Sequence, residues 1–524
     1  MQGFTIMTTQ RFKHFRLGLG IFFLTFSGHY LPTYLQPKTV LAQPTANQNL
    51  GQNIEADRLF QEAEQLVSNE TKFVQAFSKY QQALRLYRQS GDTTKATATR
   101  QRLETVLAAA SPLAAKYEQE MDQDEAAFFR QFPKTENNQT ANQLEELARG
   151  QLGIGLIGRP GDSWTFSQSQ QKAFQDIKEE LSNYLDTQER NPSSSFYEVP
   201  SKLRNYLNQN AEKLKAIRTL LLNNESPHWA TDMSWISKGD PSYPLPSYLG
   251  LADLQRLFAI DILHKQEQGK TQEVQEALEV SWKLNQSFKN DPLLLGQLVN
   301  IITTRYQIGV MRKLDGLPTA WQQRLLEHDY RQSMLQALTG ESIDTKSRYR
   351  RLMNKPETIL EDSKEYFGEY YVDLYLPLGW SEWSTSMRQN VFRWEAIAIY
   401  QSQTKIYQAV AQENVCTWSF SPWRSTPNQT EGNPLGEDPA LSRFWTRAGR
   451  FMVELELTQK ILQMKEVGAS PQNIPNTQST ICPNANWVYQ STDDARSITL
   501  APLPWWAADV RGLPLIYTLP LNRN

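Results

Sequence analysis

Three consecutive segments decide the fold class: LADLQRLFAIDILHKQEQGK (251–270), TQEVQEALEVSWKLNQSFKNDP (271–292) and LLLGQLVNIITTRYQIGVMRKLDGLP (293–318). Each is predicted to be a helix. Gly269 supplies a turn between the first two, Pro292 halts the second because proline cannot continue a helix, and Gly316 closes the third. Consecutive helices with short breaks are neighbours in space, so the stretch predicts a helical bundle or a short helical array.

Helical periodicity also covers residues 56–91, where apolar residues recur at spacings of three and four. Ala76, Tyr80 and Ala83 have the spacing of the second helix of a tetratricopeptide repeat, and this stretch resembles that family. Glu64 departs from the pattern, because the repeat usually has glycine there. The resemblance implies two closely packed helices, since small residues at these spacings let helices approach each other.

Polar stretches without apolar periodicity divide the chain into predicted segments. QPTANQNLGQN (43–53) is a predicted linker, and a second linker at 131–143, around PKTENNQTANQ, is the predicted domain boundary. The predicted organisation is a repeat-like helical segment at 54–130, a central helical domain at 144–411 and a different C-terminal region at 412–524.

The C-terminal region is predicted to change from helix to strand. Residues 442–468 form one predicted amphipathic helix, whereas NWVYQS (486–491) and SITLA (497–501) flank a turn and predict a hairpin. LIYTLPL (515–521) is a candidate third strand. The predicted fold class is therefore mainly α, a helical bundle or short α-solenoid with a small β-containing C-terminal cap.

The N-terminus resembles a bacterial Sec signal peptide. Basic residues precede the apolar run LGLGIFFLTF (17–26), and Val40 and Ala42 offer small residues before a cut. The alternative is an uncleaved anchor, but His29 and Pro32 interrupt the apolar run well before the roughly 20 residues that a spanning helix needs. We therefore predict cleavage of residues 1–42, no transmembrane insertion afterwards, and export to the periplasm or the extracellular space.

The net charge indicates which class of partner to expect, and the cysteine content bears on the redox compartment. Cleavage removes four basic residues and leaves 50 basic and 56 acidic residues, a formal charge of −6, which argues against a general nucleic-acid binder. The two cysteines, Cys416 and Cys482, are as compatible with a disulfide in an oxidising compartment as with two free thiols.

The stretch LGIGLIGRPGDSW (152–164) contains the G-x-G-x-x-G pattern of dinucleotide-binding folds. That fingerprint requires a strand before it and a helix after it. The preceding ANQLEELARGQ is predicted to be helical, and Pro160 would break the following helix, so the glycines are assigned to a turn between helices. The sequence also lacks the linear metal motifs H-E-x-x-H and C-x-x-C, and no cofactor or metal is expected.

The most suggestive set of side chains lies in EDSKEYFGEYYVDLYLPLGWSEW (361–383). Its aromatic residues are candidate ligand-binding residues, because aromatic planes stack on sugar rings. They are Tyr366, Tyr370, Tyr371, Trp380 and Trp383, with Trp394 further along the chain. Interleaved carboxylates such as Glu365 would serve as acid and base on a glycan. The alternative for the same pattern is core packing between helices, with solvated acids.

A second candidate acid is Glu341. Gly340-Glu341-Ser342 resembles the Glu-Ser start of lytic transglycosylase motifs, which implies that Glu341 is the catalytic acid. The following IDTKSRYRR departs from the aromatic and glycine-rich continuation of that family.

Helical arrays present grooves that bind other chains. We therefore predict an exported, non-catalytic helical scaffold or binding protein. The expected partner is a protein, and an envelope glycan is the alternative partner. The alternative function is a hydrolase or lyase acting on cell-envelope glycan, with Glu341 or Glu365 as the acid.

Overall fold

In the computed structural model of the chain, the described residues are 46–158, 168–237, 246–354, 383–412, 414–417, 439–466, 477–492, 494–508 and 511–520. Over these ranges the chain forms sixteen α-helices and one three-stranded antiparallel sheet. The prediction of a mainly α fold with a small β-containing C-terminal cap is thereby confirmed.

The helices are α1 Ala46–Leu66, α2 Phe73–Gln89, α3 Thr93–Ala109, α4 Ser111–Gln131, α5 Gln139–Leu147, α6 Gln168–Arg190, α7 Ser201–Gln209, α8 Ala211–Asn223, α9 Ser234–Ser237, α10 Tyr248–Glu267, α11 Thr271–Gln286, α12 Leu294–Met311, α13 Ala320–Arg324, α14 Tyr330–Asn354, α15 Thr385–Gln412 and α16 Pro439–Glu466. The strands are β1 Asn486–Ser491, β2 Ala495–Ala501 and β3 Ile516–Pro520.

The chain divides into two compact units, each built from separate stretches of sequence. Unit 1 comprises the described residues within 1–124, 345–403 and 420–440, and unit 2 comprises those within 125–344, 404–419 and 441–524. The first division therefore falls inside α4, after Asp124, and not at the predicted boundary 131–143. The central and C-terminal regions, predicted to separate at 412, also share unit 2.

The N-terminal linker was predicted to span residues 43–53, but α1 begins inside it, at Ala46. Asn and Gln lower helix propensity only slightly, so polar composition alone does not prevent a helix. The same helix buries Ala56 and Leu59 further along, and this packing anchors its polar first turns.

In unit 1, α1, α2 and α3 pack in sequence on one another. The buried residues of α2 include Ala76, Tyr80 and Ala83. Glu64 of α1 accepts a hydrogen bond of 2.6 Å from the Tyr80 hydroxyl and one of 2.7 Å from Nε of Arg102 on α3. The residue that departs from the repeat pattern thus ties three helices together through its carboxylate.

In unit 2, the three helices α10, α11 and α12 pack on one another, as the opening stretch predicted. Gly269 makes the turn between the first two with a left-handed φ of +69°, which is easily accessible to glycine. Polar side chains inside this packing bond one another across the helices: the Asn285 side chain donates to Oε1 of Gln307 at 2.6 Å, and Gln307 donates to the Leu278 carbonyl at 3.1 Å.

The C-terminal sheet has the order β1-β2-β3. Its register pairs Trp487 with Leu500 and Ile498 with Tyr517. The buried side chains of this face form a hydrophobic core with Val453, Leu457 and Ile461 of α16. The predicted hairpin, third strand and long amphipathic helix are therefore all present, and helix and sheet cover each other's apolar faces.

A disulfide joins Cys416 and Cys482. It links the turn that follows α15 to the segment that leads into β1. Asn414 and Trp506 support the same turn, because the Asn414 side chain donates to the Ile481 carbonyl and the Trp506 ring donates to the Val415 carbonyl, both at 2.9 Å.

Unit 2 also contains a buried ion-pair network. The carboxylate of Glu454 on α16 is fully buried and accepts hydrogen bonds from Nε of Arg305 at 2.6 Å and Nε of Arg450 at 3.0 Å. Arg450 also donates to the carbonyls of Ala507 and Leu513. The network therefore holds the C-terminal segment against α16 while compensating a charge that would be costly to bury alone.

Candidate functional site

Unit 2 contains a cavity of about 250 Å³. Its walls come from two loops, residues 226–233 and 286–293, and from the start of α10 at Tyr248. The volume is below the ~300–1,000 Å³ of pockets that hold drug-sized ligands. The cavity therefore has room for a group about the size of one amino-acid side chain or one sugar ring.

The loop 226–233 is held from behind by the segment that was predicted to be a linker. Thr135 and Thr231 exchange backbone hydrogen bonds of 2.9 and 3.2 Å. The side-chain oxygen of Asn137 accepts from the Ala230 amide at 2.6 Å, and that of Asn138 accepts from the His228 amide at 3.0 Å. The polar composition of 131–143 thus serves to satisfy the backbone of this loop, which explains why the segment lies within unit 2.

The opposite loop, residues 286–293, is held by helices on its other side. The Gln297 side chain donates to the carbonyls of Phe288, Lys289 and Asp291 at 3.3, 3.2 and 2.8 Å. Ser333 of α14 donates a further bond of 3.0 Å to the Lys289 carbonyl. The two loops also meet each other, because the Trp229 ring donates to the Ser287 hydroxyl at 3.0 Å.

Asp291 places a carboxylate in the cavity wall. Tyr248 donates its hydroxyl to Oδ2 at 2.8 Å, and the Leu293 amide donates to Oδ1 at 2.9 Å. Gly296 makes this position possible, since a Cβ there would lie 2.2 Å from Cγ of Asp291. Desolvation raises the pKa of Asp291 to about 6, against the opposing effect of the two hydrogen bonds.

The Asp291→Asn variant is expected to be more stable than the wild type at pH 7.5, by roughly 3 kcal/mol, and equally stable at pH 4. The folded-state pKa of about 6 lies above the ordinary 3.8, so the protonated carboxyl contributes stability below pH 4 that is lost as the pH rises through 6. Asparagine keeps the acceptor for the Leu293 amide and never ionises.

Urea unfolding at the two pH values measures this difference. Asp186→Asn serves as the control, because Asp186 forms a surface ion pair with Arg190 in which the side chains are 57% and 73% exposed. A stability difference that does not change between pH 4 and 7.5 would contradict the desolvation of Asp291.

The other acid in the wall, Asp232, is already compensated. Ser234 donates both its hydroxyl, at 2.6 Å, and its amide, at 3.1 Å, to this carboxylate, and Lys134 lies 3.5 Å away. The Ser234 hydroxyl is the largest cause of the lowered pKa of Asp232. Among the described wall residues, His228 is ionisable as well, and it is exposed.

The glycine-rich stretch 152–158 has no strand before it, since α5 and a π-helical turn, Ala148–Leu152, precede it. Two of its amides are also occupied, because Leu156 and Ile157 donate to Oε2 of Glu145 at 2.5 and 3.1 Å. A carboxylate of the chain itself thus accepts from these two amides.

The sequence-predicted ligand residues fall into two groups. Tyr366, Tyr370, Tyr371, Trp380 and the candidate acid Glu365 lie outside the described residues. Trp383 and Trp394 are 4% and 0% exposed and belong to the core of unit 1, where the Trp394 ring centroid lies 4.3 Å from that of Phe73. In this structure these two rings pack against core residues and present no surface to a ligand.

Glu341 lies in the middle of α14 and does not line the cavity. The neighbouring Gly340 has a packing role instead, because a Cβ there would lie 2.7 Å from the Pro292 carbonyl oxygen. Glu341 is therefore not part of the cavity wall, and the other candidate acid, Glu365, lies outside the described residues.

Analysis of the sequence did not identify the residues of the cavity wall as site residues. In the sequence, Asp291-Pro292 indicates only the end of a helix, and the four prolines of 226–250 indicate only an irregular loop. One signal in the sequence favours a site there: polar side chains occur in two proline-containing loops. These loops flank a pair of buried helices.

No protein-family model, curated protein or solved structure matches the chain. Within the described ranges, none of the helices combines the length and hydropathy that a membrane-spanning segment requires. Over the same ranges, His, Cys, Asp and Glu side chains form no group of three or more that could hold a metal ion.

Proposed function

We propose that this protein is an exported binding protein that holds a small group of another envelope molecule in the cavity of unit 2. The observation that carries the proposal is that both wall loops are fixed by hydrogen bonds from outside the cavity. A site that is ordered before its ligand arrives loses less conformational entropy on binding.

Two further observations support the proposal. The disulfide between Cys416 and Cys482 favours an oxidising compartment, since disulfides persist there and are rare in the cytosol. The size of the cavity favours recognition of a protruding side chain or a single sugar unit over an extended polymer.

A photo-crosslinking amino acid at His228, on the exposed side of the cavity wall, tests the proposal in the native host. We expect irradiation to link the protein to one envelope component. The same crosslinker at Glu212, an exposed residue of α8 outside the cavity wall, should not capture it.

Gly296→Ala is the variant that is expected to lose binding in the cavity, and Gly51→Ala is its matched control. The added Cβ forces the Asp291 carboxylate to move, whereas Gly51→Ala on α1 meets no atom within 4 Å. The crosslink at position 228 should be lost with Gly296→Ala and kept with Gly51→Ala. Equal crosslinking from positions 228 and 212, or an unchanged crosslink in Gly296→Ala, would refute the proposal.

A further inference from the structure

The charge on the cavity wall is unbalanced. Of the described side chains that line it, Asp232 and Asp291 are acidic, and none is a lysine or an arginine. Lys134 compensates Asp232 at 3.5 Å. Over the described residues, no lysine, arginine or histidine nitrogen lies within 4.0 Å of the Asp291 carboxylate.

Asp291 has hydrogen-bonding capacity left. An ionised carboxylate has about four lone-pair directions, and Tyr248 and the Leu293 amide use one on each oxygen. Its placement is also fixed, since Gly296 lets the carboxylate lie against the start of α12. A charge of fixed position, partly removed from water and carried by a residue of a cavity wall, gains most from a ligand of opposite charge.

Resting on the proposed function, we infer that the cavity binds a primary ammonium or guanidinium group, with Asp291 as its counterion. The neutral part of such a ligand would contact Trp229 and Met233, which are buried in the wall. This chemistry is shared by small free amines and by the side chains of lysine and arginine in another chain.

Calorimetric titration of the full chain with matched probes tests the inference. The probes are n-butylammonium, its neutral analogue 1-butanol and its anionic analogue butyrate. We expect butylammonium to bind at least tenfold more tightly than either analogue at pH 7.5. Asp291→Asn should lose at least tenfold in butylammonium affinity, because it keeps the loop geometry and removes the charge, whereas Asp186→Asn should bind like the wild type.

A second pair of probes separates the two sources of the cation. Nα-acetyl-lysine methylamide binding more tightly than butylammonium would assign the cavity to a side chain of a partner, and weaker binding would assign it to a free amine. Equal affinity for butanol, butyrate and butylammonium, or unchanged binding by Asp291→Asn, would overturn the inference. If the crosslink at position 228 persists in that case, the proposed function stands with a ligand of different charge; if the crosslink is absent as well, both fail.

Discussion

Replacing Glu454 by glutamine is expected to lower the free energy of unfolding of unit 2 by about 3–5 kcal/mol. Glu454 is fully buried and pairs with Arg305 and Arg450, whose side chains are 13% and 7% exposed. A glutamine offers one acceptor oxygen and no charge, so both guanidinium groups lose their counterion in a region from which water is excluded.

The consequence should extend to the C-terminal segment. Arg450 donates to the carbonyls of Ala507 and Leu513, and Arg312 donates to the carbonyls of Pro514 and Glu454. Burial lowers the pKa of Arg312 to about 10, which shows how strongly this region opposes uncompensated charge. We therefore expect hydrogen exchange of residues 511–520 to accelerate in the Glu454→Gln variant.

Glu279→Gln is the matched control for this prediction. Glu279 pairs with Arg324 at 2.6 Å, and the two side chains are 32% and 27% exposed. Since partly solvated pairs contribute little, this change should cost less than about 1 kcal/mol. Chemical unfolding followed by tryptophan fluorescence compares the two variants. Equal losses of unfolding free energy would show that the buried Glu454 network stabilises the protein no more than a partly exposed ion pair does.

Removing the disulfide by changing both Cys416 and Cys482 to serine is expected to cost about 4 kcal/mol of stability in the chain-entropy model. The two cysteines are 66 residues apart, so the bond closes a long loop and lowers the conformational entropy of the unfolded chain. Cys482 is buried in the core between α16 and the sheet, so the loss should appear in the C-terminal cap.

Scanning calorimetry with and without reductant measures the effect. Reductant should lower the unfolding temperature of the wild type toward that of the double variant, and it should leave the double variant unchanged. The hydrogen bonds from Asn414 and Trp506 to the same region keep the folded arrangement attainable without the bond. A wild type whose unfolding temperature does not respond to reductant would contradict the prediction.

The sequence predicted the helices around 251–318 and the C-terminal strands because their signals are local. Gly269 ends one helix through its own left-handed φ, and the alternation in NWVYQS gives a buried Trp487 and an exposed Val488. The sequence failed at 43–53, where polar composition indicated a linker and distant packing produced a helix.

The sequence also could not distinguish a polar linker from a polar support. Asn137 and Asn138 in 131–143 look like linker residues, but their side chains hold the amides of a loop 90 residues later in the chain. The division into two units could not be predicted from local sequence either, since unit 1 and unit 2 are each assembled from stretches that are far apart in sequence.

By itself, the sequence determined the fold class and the positions of the helices in 251–318, of the long C-terminal helix and of the strands, because periodicity, glycine turns and proline stops act over a few residues. Only the tertiary structure decided where a site can exist. The cavity depends on Asp291 meeting Tyr248, on Gly296 leaving room for the carboxylate, and on Asn138 reaching His228. These contacts join residues from separate elements, and desolvation of a charge depends on everything packed around it, which no short stretch of sequence specifies.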